Sequence, residues 1–199
     1  RLIELMQGIA RVATSLEDGD LQGTVVKVIS KLIITMDAHL VPMLEQLTIL
    51  FVSLWDQSEQ SSPIRPALLD ALTQMVKATS SSGGISLEIQ SMLLPIVAYA
   101  LSGLEESTAD YLSKEGVLLW LTILRNSHTG YTDGLDEVLP IALDGLFNRQ
   151  GLSDGEITHL CNIMRVCESY AIIGGKDCLM KHATIFHQVF TKLTGEVAP

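Results

Sequence analysis

The chain has 199 residues, 47% of them apolar, and its 13 basic against 23 acidic side chains give a net charge of −10. That charge makes duplex nucleic acid and anionic membrane poor partners, and the length suits one domain with a large core or a short array of repeats. The longest uncharged apolar stretch, Ile89 to Leu104, has 16 residues and contains Gln90, Ser91, Pro95 and Ser102, short of the roughly 18–20 residues of a membrane span.

Along the chain the signals are helical. Turn chemistry falls at Glu17–Asp20, Ser58–Ser62, Ser80–Gly84, Glu105–Thr108, Asn126–Asp133, Gln150–Asp154 and Gly174-Gly175. Between these marks apolar residues recur at spacings of three and four, clearest in Ile64, Leu68, Ala71, Leu72 and Met75 and in Ile157, Leu160, Cys161, Met164 and Ala171. The pattern predicts nine helices: 1–15, 20–36, 38–56, 62–79, 86–103, 108–126, 134–148, 153–172 and 177–194. Asp20, Ser62, Ser107 and Ser153 stand where helices should begin, and Ser153 has Glu156 three residues on, as in a capping box. Alternating runs bounded by hairpin dipeptides are missing, so strands are not expected.

The helices recur in pairs. Pro42, Pro95 and Pro140 stand at similar places in three predicted helices, 53 and 45 residues apart, and each is followed by a second helix. A proline inside a helix removes a backbone bond and costs about 3 kcal/mol unless the chain bends to suit. Two helices in a period of roughly 40–47 residues are the signature of HEAT and armadillo repeats. The expected fold is therefore all-α, an α-α superhelix of about four helix pairs. It forms one HEAT-repeat solenoid segment over 1–199, with repeats 1–36, 38–79, 86–126 and 134–172 and a final helix at 177–194. A one-off helical bundle is the alternative. Helix 108–126 is apolar nearly all round (Val117, Leu118, Leu119, Trp120, Leu121, Ile123, Leu124), as a helix with neighbours on both flanks must be. Trp55 and Trp120 sit at core spacings.

Catalytic and metal-binding patterns are weak. Gly83-Gly84 and Gly174-Gly175 are helix stops rather than phosphate loops. On a helix His159 and Cys161 lie about 200° apart, and His182 and His187 are off-register, so the cysteines are expected as small apolar fillers and no metal, cofactor or enzyme activity is expected. Three cysteines in no secreted framework fit a reducing cytosol or nucleus. Arg1 in place of Met, without a leader, suggests a piece of a longer protein. Uncovered end layers, with Leu2, Leu5 and Met6 at one end and Phe186 and Phe190 at the other, would make the isolated chain self-associate.

Ile64-Arg65-Pro66-Ala67-Leu68-Leu69-Asp70-Ala71-Leu72 looks like the second helix of a HEAT repeat. Together with Pro42, Leu54-Trp55 and Gln57-Ser58-Glu59, the run Tyr111-Leu112-Ser113-Lys114-Glu115-Gly116-Val117-Leu118-Leu119-Trp120-Leu121 resembles importin-beta (karyopherin-beta) transport receptors, and within them an importin-eleven-like branch. The resemblance runs over most of the chain and is strongest from residue 38 to 150. It implies a segment of a nuclear transport receptor that carries protein cargo through nuclear pores under control of the GTPase Ran. It also implies contact with FG nucleoporins through the full-length parent, and residence in both cytoplasm and nucleus. A HEAT scaffold for a phosphatase or vesicle coat is the other class weighed. No direct nucleic-acid contact and no membrane insertion are expected.

For partner binding, the solvent side of the second helices offers Asp70, Thr73 and Lys77 on one and Thr158, Asn162, Arg165 and Ser169 on another. Acidic residues crowd the stretch from Leu104 to Glu156, where ten acids face three bases. Glu105, Glu106 and Asp110 within it are candidates to attract a basic cargo segment by electrostatic steering.

Overall fold

The computed structural model describes residues 2–59, 62–102, 109–127, 130–147 and 156–197. Among these the regular elements are helical: α1 (Leu2–Ser15), α2 (Gly19–Met36), α3 (Leu44–Gln57), α4 (Ile64–Ala78), α5 (Leu87–Leu101), α6 (Ala109–Asn126), α7 (Asp133–Phe147), α8 (Glu156–Lys181) and α9 (Ala183–Val197). The first helices of successive pairs begin at Leu2, Leu44, Leu87 and Asp133, 42, 43 and 46 residues apart. This is the HEAT-like all-α pattern expected. An isolated bridge between Ile85 and Ser127 is the sole strand-like pairing among the described residues.

Two compact units divide the chain. In the first, Arg1–Leu93 with Asn126–His128, α1 packs on α2, α2 on α4 and α3 on α4. The α2–α4 contact is the most extensive, and its register can be followed residue by residue. A Cβ on Gly19 would lie 3.4 Å from Ser62, one on Gly23 would lie 3.8 Å from Ile64, and Ser30 Oγ donates to Asp70 Oδ2 at 2.8 Å. The contacts advance together along both helices, so α2 and α4 run parallel, as second helices of adjacent repeats do. Trp55 of α3 is buried, with the buried Arg65 guanidinium of α4 stacked 4.6 Å above its ring. Arg65 is held there by Ser58, whose Oγ accepts from Nε at 3.0 Å and whose carbonyl accepts from Nη2 at 3.1 Å. The planar guanidinium suits this combination of stacking and forked donation.

The second unit is Leu94–Arg125 with Thr129–Pro199. Here α6 and α8 meet at Trp120 and Tyr170, both fully buried, with ring centroids 5.6 Å apart in an edge-to-face arrangement. Trp120 Nε1 donates to Tyr170 Oη at 3.1 Å, and that hydroxyl donates to the Leu135 carbonyl of α7 at 2.8 Å. One hydroxyl therefore ties three helices while satisfying two polar groups in an apolar core. Gly116 permits the close approach of α6 to α5: a Cβ there would come within 2.9 Å of Ala100 Cβ.

Several boundaries differ from expectation. The helix expected over 38–56 starts with a 3-10 stretch, Asp37–Met43, that contains Pro42, and α-geometry begins at Leu44. Pro42 has no N–H to donate and its ring crowds the preceding turn, so the chain tightens before the α-helix starts. Pro95 and Pro140 do lie inside α5 and α7. The cap of α2 is Asp18 rather than Asp20: its Oδ1 accepts from the Asp20 and Leu21 amides at 2.9 and 3.1 Å. Asp20 lies in the first turn, where its charge meets the helix dipole. Ser62 lies before α4 with its Oγ 3.5 Å from the Ile64 amide, while Ser107 and Ser153 fall outside the described residues. Gly83 and Gly84, at φ 97° and 76°, turn the chain as expected. At the other glycine pair the backbone leaves helical geometry as expected, at Gly175 (φ 57°, ψ −151°), so α8 is two helical stretches joined at a kink, the second reaching Lys181. Glycine has no Cβ to forbid that conformation, so helical bonding resumes beyond it, and α9 starts at Ala183 rather than 177.

Candidate partner-binding surface

A side chain can serve a partner only from solvent. On α4 that condition is narrow, because only Pro66, Asp70, Gln74 and Lys77 are partly or fully exposed, one stripe at i, i+4, i+8 and i+11. Lys77 is exposed. Asp70 is half-buried, accepting from Ser30 Oγ at 2.8 Å and from Gln74 Nε2 at 3.0 Å, which sets its carboxylate toward the groove beside α2. Thr73 does not belong to this stripe. It is buried, and its hydroxyl donates back to the Leu69 carbonyl at 2.8 Å. Three residues from Asp70, it lies about 60° round the helix from that residue and about 20° beyond Pro66 at the edge of the stripe.

On α8 Arg165 is exposed, whereas Asn162 and Ser169 are buried, each at 9% exposure. Arg165 Nη1 lies 3.5 Å from Asn162 Oδ1, and Ser169 Oγ donates to the Arg165 carbonyl at 2.7 Å. Both buried residues satisfy themselves within their own helix, which is why polar side chains are tolerated there. Thr158 lies in α8. Glu105 and Glu106 fall outside the described residues, and Asp110 falls within α6.

Within the acidic stretch Asp136 is engaged in a side-chain cluster. Asp136, in the first turn of α7, accepts from Tyr131 Oη at 2.6 Å and from His182 Nε2 at 2.7 Å on one oxygen, and pairs with Lys181 on the other. An ionised carboxylate only accepts, so Nε2 of His182 carries the proton in this pairing. The three donors, Lys181 first, hold the Asp136 carboxyl far below the usual carboxylate range. Asp136 in turn raises the Lys181 ammonium. Burial, reinforced by Asp136, drives the Tyr131 phenol far above its ordinary value, and burial does the same for Tyr170. The cluster joins the turn before α7, α7 itself and the junction of α8 with α9. It was not foreseen from the sequence, because Asp136 and His182 lie 46 residues apart and no local spacing links them.

The cluster is built for cohesion. Tyr131 is locked neutral, and the Asp136 carboxylate accepts from three donors. Cys167, on the same helix as Tyr170, is buried, which pushes its thiol up to about 12 and keeps it from the thiolate form a metal or substrate would require. Among the described residues no group of three or more His, Cys, Asp or Glu is placed to hold a metal ion, and no helix is long and apolar enough to cross a membrane.

Helix pairs at a near-constant spacing, with the second helices α2 and α4 stacked in parallel, define a helical-repeat protein. The chain belongs to the Importin-11-like, TPR repeats family, which matches residues 66–198. The pairs here recur every 42–46 residues, longer than the ~34 of tetratricopeptide units and closer to HEAT repeats. The chain is 24% identical over 196 residues to Importin-11 of Mus musculus and, equally, to Importin-11 of Homo sapiens; the alignment covers 98% of this chain and 18% of either relative. No solved structure matches the chain.

Proposed function

We propose that the chain is a segment of a nuclear transport receptor. The longer protein would bind protein cargo and pass between cytoplasm and nucleus, gated by Ran in its GTP form and touching FG nucleoporins at the pore. The role is non-catalytic recognition by a stacked helical surface. Membership in the importin-11-like family, matched over two thirds of the chain, carries this reading. Asp70, Lys77 and Arg165 are its solvent-side contact candidates, and Glu105, Glu106 and Asp110 its candidates for drawing in a basic cargo segment. Thr73, Asn162 and Ser169, being buried, are no longer offered as contacts.

The test is a pull-down of the full-length protein with Ran locked in its GTP form. Retention of Ran supports the reading. Its absence overturns Ran gating and leaves a scaffold role outside transport.

A further inference from the structure

Charge divides between the two kinds of helix. Of the chain's 13 basic side chains, nine lie on the second helices α2, α4, α6 and α8. Helices α3, α5 and α7 hold none and carry seven acidic residues. Helix dipoles do not cause the split. A dipole favours a base in any last turn, yet the last turns of α3, α5 and α7 have none, and Lys27 and Lys31 lie short of the last turn of α2.

In the first unit the bases gather on one surface. Lys27 and Lys31 of α2 and Lys77 of α4 are exposed, and no acidic residue follows Asp20 in α2 or Asp70 in α4. On α2, Lys27, Lys31 and Ile34 fall within an arc of about 60°, beside Gly23 and Ser30, which meet α4. Ile34 is 51% exposed although it lies one turn beyond the buried Ser30, so an apolar side chain stands open among the lysines. The Ser30–Asp70 bond fixes the register of the two helices. Counted from it, Ile34 lies midway along the pair between Lys31 and Lys77, which are offset by about 9 Å. Packed helices are roughly 8–10 Å apart, so these two lysines are about 13 Å from one another. Asp70, held by Ser30 and Gln74, sits about 10 Å back from Lys77 along α4.

We infer that the C-terminal half of the α2–α4 surface binds an acidic peptide segment of a partner protein, with an apolar side chain between its acids. Lys27, Lys31 and Lys77 meet the carboxylates, and Ile34 meets the apolar side chain. In an extended segment, residues four apart span about 13 Å and point, with the residue midway, to one face. That matches Lys31 and Lys77 with Ile34 between them. A long polyanion fits less well, because three lysines match few phosphates and a net charge of −10 repels the rest of it. The inference rests on the reading of Lys77 as a contact residue and not on Ran, so the Ran pull-down and the measurement below can fail separately.

The probe is a fluorescein-labelled peptide with three glutamates on each side of serine-leucine-serine, titrated with the full-length protein at physiological salt and read by anisotropy. Lys31→Glu with Lys77→Glu should weaken its binding at least tenfold. Arg11→Glu with Lys176→Glu, the same charge change at exposed positions elsewhere, should weaken it less than twofold. Ile34→Ala should weaken it about threefold and erase the preference for leucine over alanine at the peptide's centre. Absence of saturable binding by the unaltered protein, or equal losses in the two double variants, overturns the inference. A leucine preference that survives Ile34→Ala overturns the apolar contact. Tighter binding of oligothymidylate or of phosphatidylserine vesicles through the same lysines overturns the peptide as partner and reassigns the patch.

Discussion

Trp120→Ala should cost the chain about 3–5 kcal/mol, the range for emptying a buried aromatic site. The indole is fully buried in the second unit and borders Tyr170 edge-on. A tryptophan removes about 200 Å² from water, worth about 5 kcal/mol at roughly 25 cal/mol per Å², and compactness of the unfolded chain lowers that figure. The polar loss is smaller. The Tyr170 hydroxyl loses the indole donor but keeps the Leu135 carbonyl as its acceptor, so no buried donor is stranded and this part is about 1 kcal/mol. Trp120→Phe, which keeps most of the ring, should therefore cost only about 1–2 kcal/mol. Urea unfolding followed by circular dichroism measures both. With a slope of about 2 kcal/mol per molar, the alanine variant should unfold at a midpoint lower by roughly 1.5–2.5 M. An unchanged midpoint for Trp120→Ala would refute the packing argument, and equal losses for both variants would refute its division into apolar and polar parts.

Three other expectations concern separate parts of the molecule. Asp136 stays ionised in the folded chain to lower pH than in the unfolded chain, so its contribution is complete above the unfolded aspartate value of about 3.9 and is lost as pH falls below it. Asp136→Asn should cost about 2 kcal/mol at neutral pH and flatten the acid limb of the stability profile; a parallel acid limb in the variant would contradict the pairing. Gly116→Ala forces a Cβ to within 2.9 Å of Ala100 and should destabilise by about 1–3 kcal/mol, whereas Gly8→Ala, with nothing within 4 Å, should be neutral or stabilise by up to about 1 kcal/mol; thermal midpoints moving the same way in both would sink the contrast. Reversing Glu105, Glu106 and Asp110 together should slow association of the full-length protein with a lysine- and arginine-rich peptide more than it speeds dissociation, and added salt should do the same to the unaltered protein; stopped-flow association rates insensitive to both would make the band ordinary surface.

The helices and their pairing were legible because apolar periodicity and turn residues act locally. Ile64, Leu68, Leu72 and Met75 mark the buried side of α4 as plainly in sequence as in structure. Boundaries moved where one residue offers the backbone two choices. Pro42 forces a 3-10 entry, and the kink at Gly175 is followed at once by a further helical stretch, so α9 begins later than expected. The candidate surface was legible only in part. Lys77 and Arg165 are exposed as expected, but Thr73 and Asn162 are polar residues that bond within their own helices and are buried by neighbouring elements. Polarity alone does not reveal whether a second helix covers a position. The Asp136 cluster was invisible for a related reason: its partners come from the far end of another helix, and only tertiary packing brings them together.

The parallel register of α2 and α4 also decides where this chain tolerates insertions and deletions. Gly23 lies against Ile64 and Ser30 against Asp70, so the two helices are aligned by side chains and not by the length of chain that joins them. One residue inserted in the turn between α3 and α4 leaves Gly23 against Ile64 and Ser30 against Asp70. The same residue inserted between Ile64 and Asp70 rotates all that follows by 100° and carries the Asp70 carboxylate away from Ser30. Length variation among homologues should therefore collect between the helices, and the spacings of 42, 43 and 46 residues from one first helix to the next already record such drift within this one chain.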